Sequence, residues 1–342
     1  MIKDVSILEG DCFDSLKTVA DESIHCVVTS PPYWGLRDYG CSGQIGLEPS
    51  FEEFLARLVD VFSEVRRVLR KDGTCWVNMG DSYASNGGAG IQGSTGQRSG
   101  RRFTASRNTD GLKSTGSRPP AGLKAKELIG QPWRLAFALQ DSGWYLRQDI
   151  IWHKPSPMPE SVRDRCTKAH EYIFLLTKSE SYYWDFEAMR EPVSGNAHAR
   201  VRHPHGWGVG SEPRDPVALQ RSGVHPKARE AAVGVVRANK SFSAAVAGLV
   251  ELRNRRSVWT IPSEPCSEAH FATFPTALVR PCILAGCPVG GTVLDPFGGS
   301  GTTAVCALEL GRTAVICELN PQYVAIARSR ISSVTPGFRF ES

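Results

Sequence analysis

The sequence predicts an α/β protein built on a doubly wound, mostly parallel sheet with helices on both faces. Three observations carry that reading. Short β-branched apolar runs recur along the chain, as strands buried on two faces require. Segments of helical period separate them. Residues 291–331 read as one strand–loop–helix–strand–helix unit.

Taken in order, "VSILEG" (5–10) and "SIHCVVTS" (23–30) are strands, and "CFDSLKTVA" (12–20) is the helix between them. A long helix is expected over 51–73, because Phe54, Leu55, Leu58, Phe62, Val65 and Leu69 share one face and Gly73 offers an end. "TCWVNMG" (74–80) returns to strand. A helix near 126–142 follows, then strands at "YLRQDIIWHK" (145–154) and "HEYIFLLTK" (170–178), and a helix near 274–286.

Two stretches break this rhythm. Residues 82–125 hold nine glycines, seven serines and no apolar period, so they read as a flexible insertion. Residues 189–257 are irregular and Pro/Gly-punctuated. Both are basic: they carry +6 and +7, leaving about −8 on the rest of a chain whose net charge is +5. Charge concentrated this way is the footprint of a surface for a polyanion. Arg98, Arg101, Arg102 and Arg107 in the first stretch are candidate contacts to that polyanion, as are Arg200, Arg202, Arg221, Lys240, Arg253 and Arg255 in the second. The expected organisation is therefore 1–81, an insertion at 82–125, the rest of the sheet at 126–188, a recognition region at 189–257 and a last part at 258–342.

The composition is that of an ordinary globular chain, 41% hydrophobic and 22% charged. No run of 18 uncharged apolar residues occurs, which argues against a membrane span. The first 30 residues carry six acids, which a signal peptide would not. Ten scattered cysteines without a C-x-x-C pair read as reduced thiols of a cytoplasmic protein, with no metal site.

"VLDPFGGSGTTAV" (293–305) is a strand, a glycine turn and a helix start, where backbone N–H groups meet a ligand. Glu318 ends the next strand, placed to bind the two hydroxyls of a ribose. The Gly-Lys-Ser/Thr ending of nucleotide hydrolases and the G-x-G-x-x-G spacing are both missing. Asp295 ahead of the loop suits a ligand bearing an amine and a sulfonium, which favours S-adenosylmethionine. The cofactor candidates here are Asp295, Phe297, Gly298, Gly299, Ser300, Gly301, Thr302, Glu318 and Asn320.

"TSPPYW" (29–34) places two prolines at the tip of a strand. An exocyclic amino group of a base is a poor nucleophile, because its lone pair is delocalised into the ring. Acceptors for its N–H groups restore that lone pair. The Ser30 hydroxyl and the Pro31 carbonyl are such acceptors, Pro31 and Pro32 hold them still, and Tyr33 offers a face for an extruded base.

At these residues the sequence resembles the β-class DNA amino-methyltransferases. "TSPPYW" resembles the family's catalytic tetrapeptide and "DPFGGSGTT" its cofactor loop. The catalytic motif comes first and the cofactor loop last, the circularly permuted order of the β class. The resemblance implies a methyltransferase sheet, S-adenosylmethionine as cofactor and double-stranded DNA as substrate. It further implies adenine contacts at Asp11 and Cys12 in "LEGDCFDSL", and methionine contacts at His270, Phe271 and Phe274. A base pocket of Trp34, Trp152, Lys154 and Pro157 also follows. Residues 189–257 would then read the target, and 82–125 would be a DNA-contacting arm. Homodimers are common in the family, and a bacterial or phage origin fits it. Serine ahead of Pro-Pro is more typical of N4-cytosine enzymes and aspartate of N6-adenine enzymes, so cytosine is slightly favoured. The rivals are an RNA or protein amino-methyltransferase and a non-catalytic DNA-binding protein.

Overall fold

A computed structural model describes residues 5–36, 38–84, 92–93, 123–192, 252–264 and 274–334. Among these, an eight-stranded sheet runs in the order β1-β12-β11-β2-β3-β7-β6-β10. Its strands are β1 (Val5–Glu9), β2 (Ile24–Thr29), β3 (Leu69–Met79), β6 (Tyr145–His153), β7 (His170–Thr177), β10 (Val258–Thr260), β11 (Thr292–Asp295) and β12 (Thr313–Glu318). All neighbours are parallel except β7, which runs antiparallel to both β3 and β6. Two small pairs complete the strands: β4 (Ser82–Tyr83) with β5 (Gln92–Gly93), and β8 (Arg190–Pro192) with β9 (Leu252–Asn254).

Alternation along the strands sorts the helices onto two faces. Cys26, Val28, Trp76, Ile173, Leu175, Val293 and Ile316 pack with α4 (Thr276–Gly286), α5 (Thr302–Glu309) and α6 (Pro321–Val334). Their neighbours Val27, Cys75, Val77, Phe174, Leu176, Leu294 and Cys317 pack with α1 (Cys12–Lys17), α2 (Phe51–Val68) and α3 (Gln131–Asp141). The doubly wound reading holds.

Two helix boundaries differ from the sequence reading. The long helix ends at Val68 rather than at Gly73, with Leu69 already extended at ψ 136°. Leu69 pairs with Ile24, and a register shift then loops out the residues before Thr74 pairs with Cys26. Burying Leu69 in the sheet outweighs its place in the helical pattern. The helix expected from 126 starts at Gln131, because Gly130 is left-handed (φ 77°) and a proline occupies the first turn. The nine described cysteines are all free thiols; seven are buried, Cys41 is half-buried and Cys166 exposed.

The topology positions the site. The chain leaves β11 toward β12 and leaves β2 toward β3, in opposite directions across the sheet. A crevice opens at such a switch point, outside the carboxyl ends of the two strands. The glycine loop follows β11 and Ser-Pro-Pro-Tyr follows β2. No described helix is long and apolar enough to cross a membrane. The chain divides into two compact units, Met1–Met189 with Arg256–Ser342 and, separately, Arg190–Arg255.

Candidate active site

A cavity of about 400 Å³ lies at this switch point, within the size range of small-ligand sites. Ser30, Pro31, Pro32 and Tyr33 line it from the β2 side. Trp152, Lys154 and Pro157 line it from β6 and the following loop. Asp11, Cys12, Phe274, Phe297, Gly298, Gly299, Ser300, Thr302, Glu318 and Asn320 complete the wall nearest β1, β11 and β12. Residues more than 280 positions apart thus share one space.

The β11–β12 side is tied together by its own polar groups. Gly298 N–H donates to the Cys317 carbonyl at 2.8 Å. A Cβ on Gly298 would sit 2.8 Å from Ile316 Cβ, so only glycine lets the loop lie against β12. Glu318 accepts from the N–H of Gly299 and of Asn320, each at 2.8 Å, which fixes its carboxylate at the cavity. Burial pushes its carboxyl above the ordinary glutamate range. Asp11 caps α1, accepting from Phe13 N at 2.9 Å, while burial pushes the Cys12 thiol up to about 12. Arg330, unremarked in the sequence, donates to the Ser300 carbonyl, the Ser300 hydroxyl and the Thr302 hydroxyl at 2.7, 2.6 and 3.0 Å. It clamps the glycine loop to α6.

Three expected site residues turn out to do something else. Asp295 is 1% exposed and absent from the cavity wall. Its carboxylate accepts from Thr29 Oγ1 at 2.6 Å, Thr303 Oγ1 at 2.8 Å and Phe297 N at 3.0 Å. It welds β11 to β2 from a buried position behind the cavity wall. Gly301 is also off the wall: it caps α5 at φ 79° and packs on Ala327. Trp34 belongs to the core, edge-on to Phe51, with Nε1 donating to the Glu48 carbonyl at 2.9 Å. The chain turns after Tyr33, so the second aromatic of the motif points inward.

The other side is built around Glu171, which sequence reasoning missed. This β7 carboxylate accepts from Tyr33 Oη at 3.0 Å, from Asn78 Nδ2 at 3.2 Å and from Lys154 Nζ. Burial alone would raise its carboxyl, but Lys154, Tyr33 and Asn78 reverse that and hold it below the usual range. Burial, with Glu171 alongside, pushes the Tyr33 phenol well up, so Tyr33 stays neutral. Gly80 makes this packing fit, since a Cβ there would meet both Tyr33 and Glu171 at 3.1 Å. Lys154 also lies 4.3 Å from the centre of the Trp152 ring, whose own Nε1 donates to the Ile261 carbonyl. Asp81 and Lys168 line the cavity nearby. Asp81 Oδ1 accepts the N–H groups of Ser82, Gly130 and Gln131, capping α3.

His270 and Phe271 lie outside the described residues, as do Arg98, Arg101, Arg102, Arg107, Arg200, Arg202, Arg221 and Lys240. Arg253 is described, and its Nε is held by Glu191 at 2.8 Å across the β8–β9 pair. Arg255 is described at the edge of the same unit and is half-buried.

The residues present fit S-adenosylmethionine. An apolar cleft floored by Phe297 and Phe274 would take its adenosyl and methionine carbons, and the fixed Glu318 carboxylate retains acceptor capacity for ribose hydroxyls. Among the described residues, no cluster of His, Cys, Asp and Glu could hold a metal ion.

Comparison with known proteins agrees with this geometry. A family model for N6 and N4 methyltransferases, described as DNA methylase, matches residues 24–329. The type II methyltransferase M.Cfr9I of Citrobacter freundii is 44% identical over 328 residues, covering 95% of this chain and 87% of its own. M.SmaI of Serratia marcescens is 43% identical over 332 residues, covering 96% and 91%. A putative DNA modification methylase of Thermus thermophilus, solved with S-adenosyl-L-methionine, shares the fold at a TM-score of 0.55 and 24% identity, covering 98% of this chain and 96% of that one. The cytosine-N4-specific PvuII DNA methyltransferase shares it at 0.57 and 19%, covering 95% and 86%.

Proposed function

We propose that this chain, which belongs to the DNA methylase family and is an S-adenosylmethionine-dependent DNA methyltransferase, methylates N4 of a cytosine extruded from duplex DNA. The observation that carries the reading is Ser30 with Pro31 at the end of β2, in one cavity with the glycine loop of β11. The resemblance noted above favours cytosine where serine precedes Pro-Pro.

When bound, S-adenosylmethionine supplies an electrophilic methyl group on a sulfonium. Asp11, Cys12, Phe274, Phe297, Ser300, Glu318 and Asn320 would hold it. The Ser30 hydroxyl oxygen and the Pro31 carbonyl accept the two N–H bonds of the target amino group, drawing its nitrogen toward tetrahedral geometry. Tyr33, pinned through its phenol to Glu171, presents a ring on which the base stacks. In the transfer the nitrogen gains methyl and the cationic product sheds one N–H proton to water; the two acceptors orient the N–H bonds and take no proton themselves. No covalent enzyme intermediate is involved. Pro281-Cys282 resembles the nucleophile dipeptide of C5-methylating enzymes, but Cys282 is buried in α4 with its thiol donating to the Leu278 carbonyl. The basic stretch 189–257 reads the sequence in this scheme, and 82–125 neutralises phosphates.

Digesting methylated DNA to nucleosides and weighing them tests the reading. N4-methylcytosine is expected. N6-methyladenine overturns the base assignment, and 5-methylcytosine overturns the mechanism.

A further inference from the structure

Lys168 is the one residue of the cavity wall, among those described, whose charged atom is buried without a hydrogen-bond partner. Its ammonium lies in the field of Asp81, Glu171 and Glu160 on one hand and Lys154 on the other. None of those acids bonds it. Glu171 is taken by Lys154, Tyr33 and Asn78. Glu160 accepts from the Arg165 guanidinium and from the backbone N–H of Lys168 itself. Asp81 turns Oδ1 to the start of α3 and has no hydrogen bond to the ammonium. Burial and the neighbouring Lys154 hold the lysine below its ordinary range, with the acids opposing them. An ammonium removed from water with nothing to donate to is a liability to the folded chain. Its retention points to a partner that arrives from outside.

The place of Lys168 narrows what that partner is. Backbone phosphates stay at the surface of a DNA complex and are met by exposed cations. A shielded ammonium inside a cavity is reached by a group that enters the cavity. The neighbours of Lys168 sit just past the ends of β3 (Asp81) and β6 (Lys154), on β7 (Glu171) and in the β6–β7 connection (Glu160), and these strands lie on the far side of β2 from the glycine loop and Glu318. That is the side of the base, not of the cofactor. Cytosine carries a ring carbonyl, O2, which adenine lacks, and the target amino group is already assigned to Ser30 and Pro31.

We propose that Lys168 is a specificity-determining residue that donates to the O2 carbonyl of the extruded cytosine. The proposal rests on the cytosine reading above. It makes the pocket two-sided: neutral acceptors for the amino group, and a charged donor for the carbonyl.

The test combines Lys168→Met with duplexes carrying either cytosine or 2-thiocytosine at the target, since sulfur is the weaker acceptor. The full-length protein is used, with kcat/KM and thermal stability measured for each variant. The wild type should favour cytosine by roughly tenfold, and K168M should lose roughly tenfold to a hundredfold on cytosine, the range of one charged hydrogen bond. K168M should show no preference between the two bases. Its Tm without DNA should stay level or rise, because a buried unpaired charge has gone. A merely structural lysine would lower Tm instead, and that result, or failure of K168M to fold, overturns the proposal. So does a wild type indifferent to the thio substitution, or a K168M protein that keeps the preference. Uniform weakening of DNA binding, with the salt slope shallower by about one unit, would mark a phosphate contact and also overturn it. Product mass reports separately on the cytosine reading: N6-methyladenine from the wild type removes that reading whatever K168M does.

Discussion

The two walls of the cavity differ in how their polar groups are satisfied. On the wall of β11 and β12, Glu318 accepts two backbone N–H groups and Arg330 gathers three oxygens of the glycine loop. Behind it, Asp295 accepts from three donors. On the wall of β3, β6 and β7, a knot around Glu171 holds Tyr33 and Lys154 still, yet Lys168 is left buried and unpaired. The first wall is a finished receptor, organised before its ligand arrives and so cheap to occupy. On the proposal above, the second is finished by its substrate. A base leaving a duplex costs a few kcal/mol to unstack, and open hydrogen-bonding groups in the pocket help offset that cost.

That contrast is sharpened most by Ser30→Ala. Turnover should fall by roughly a hundredfold or more, the scale of removing one donor or acceptor used in the transition state. Cofactor affinity, read by titration without DNA, should stay within a few-fold. The opposite split is expected for Glu318→Ala. Cofactor affinity should weaken by roughly tenfold to a hundredfold, because the proposed ribose acceptor goes and two backbone N–H groups lose their partner. Turnover at saturating cofactor should change little. If both variants damage both quantities equally, the walls do not act separately and the comparison fails.

The sheet was legible because strands buried on two faces cannot disguise themselves: "SIHCVVTS" and "HEYIFLLTK" admit little else. The glycine loop was legible from its strand, its spacing and Glu318 at the next strand end. What escaped was direction. Tyr33 and Trp34 are adjacent aromatics after two prolines, and one faces the cavity while the other enters the core. Asp295 stood at the right place in the chain, but its carboxylate turns sideways to Thr29, 266 residues away in sequence. Glu171 and Lys168 had no motif at all. Glu171 does carry a faint signal, a lone acid in an otherwise apolar strand, which needs partners because burial without them is costly. Its partners Tyr33, Asn78 and Lys154 come from three separate segments, and only the sheet order β2-β3-β7-β6 assembles them.

The smallest effect on activity is expected for Asp295→Asn, and it separates a scaffold carboxylate from a ligand-binding one. An amide keeps an oxygen for Thr29 Oγ1 and Phe297 N. Thr303 can turn its hydroxyl to the Val28 carbonyl, which it already approaches at 3.3 Å, and accept from the new NH₂ group. Cofactor affinity and turnover near pH 7.5 should therefore stay within a few-fold, whereas a carboxylate that bound the cofactor's amine would cost far more. The distinguishing readout is stability against pH. Burial pushes the Asp295 carboxyl up to about 6, from an ordinary 3.8, although its three donors pull the other way. Between those values the folded wild type binds more protons than the unfolded chain. The contribution of Asp295 to stability is thus fully present below pH 4 and is lost as pH rises through about 6, with a slope of at most about 1.4 kcal/mol per pH unit. The asparagine variant has no such group. Its stability relative to wild type, from urea unfolding at several pH values, should climb between pH 4 and 6 and level off above. A difference that stays flat, or falls over that window, means that the three donors outweigh burial, and that the charged form is the one the fold prefers.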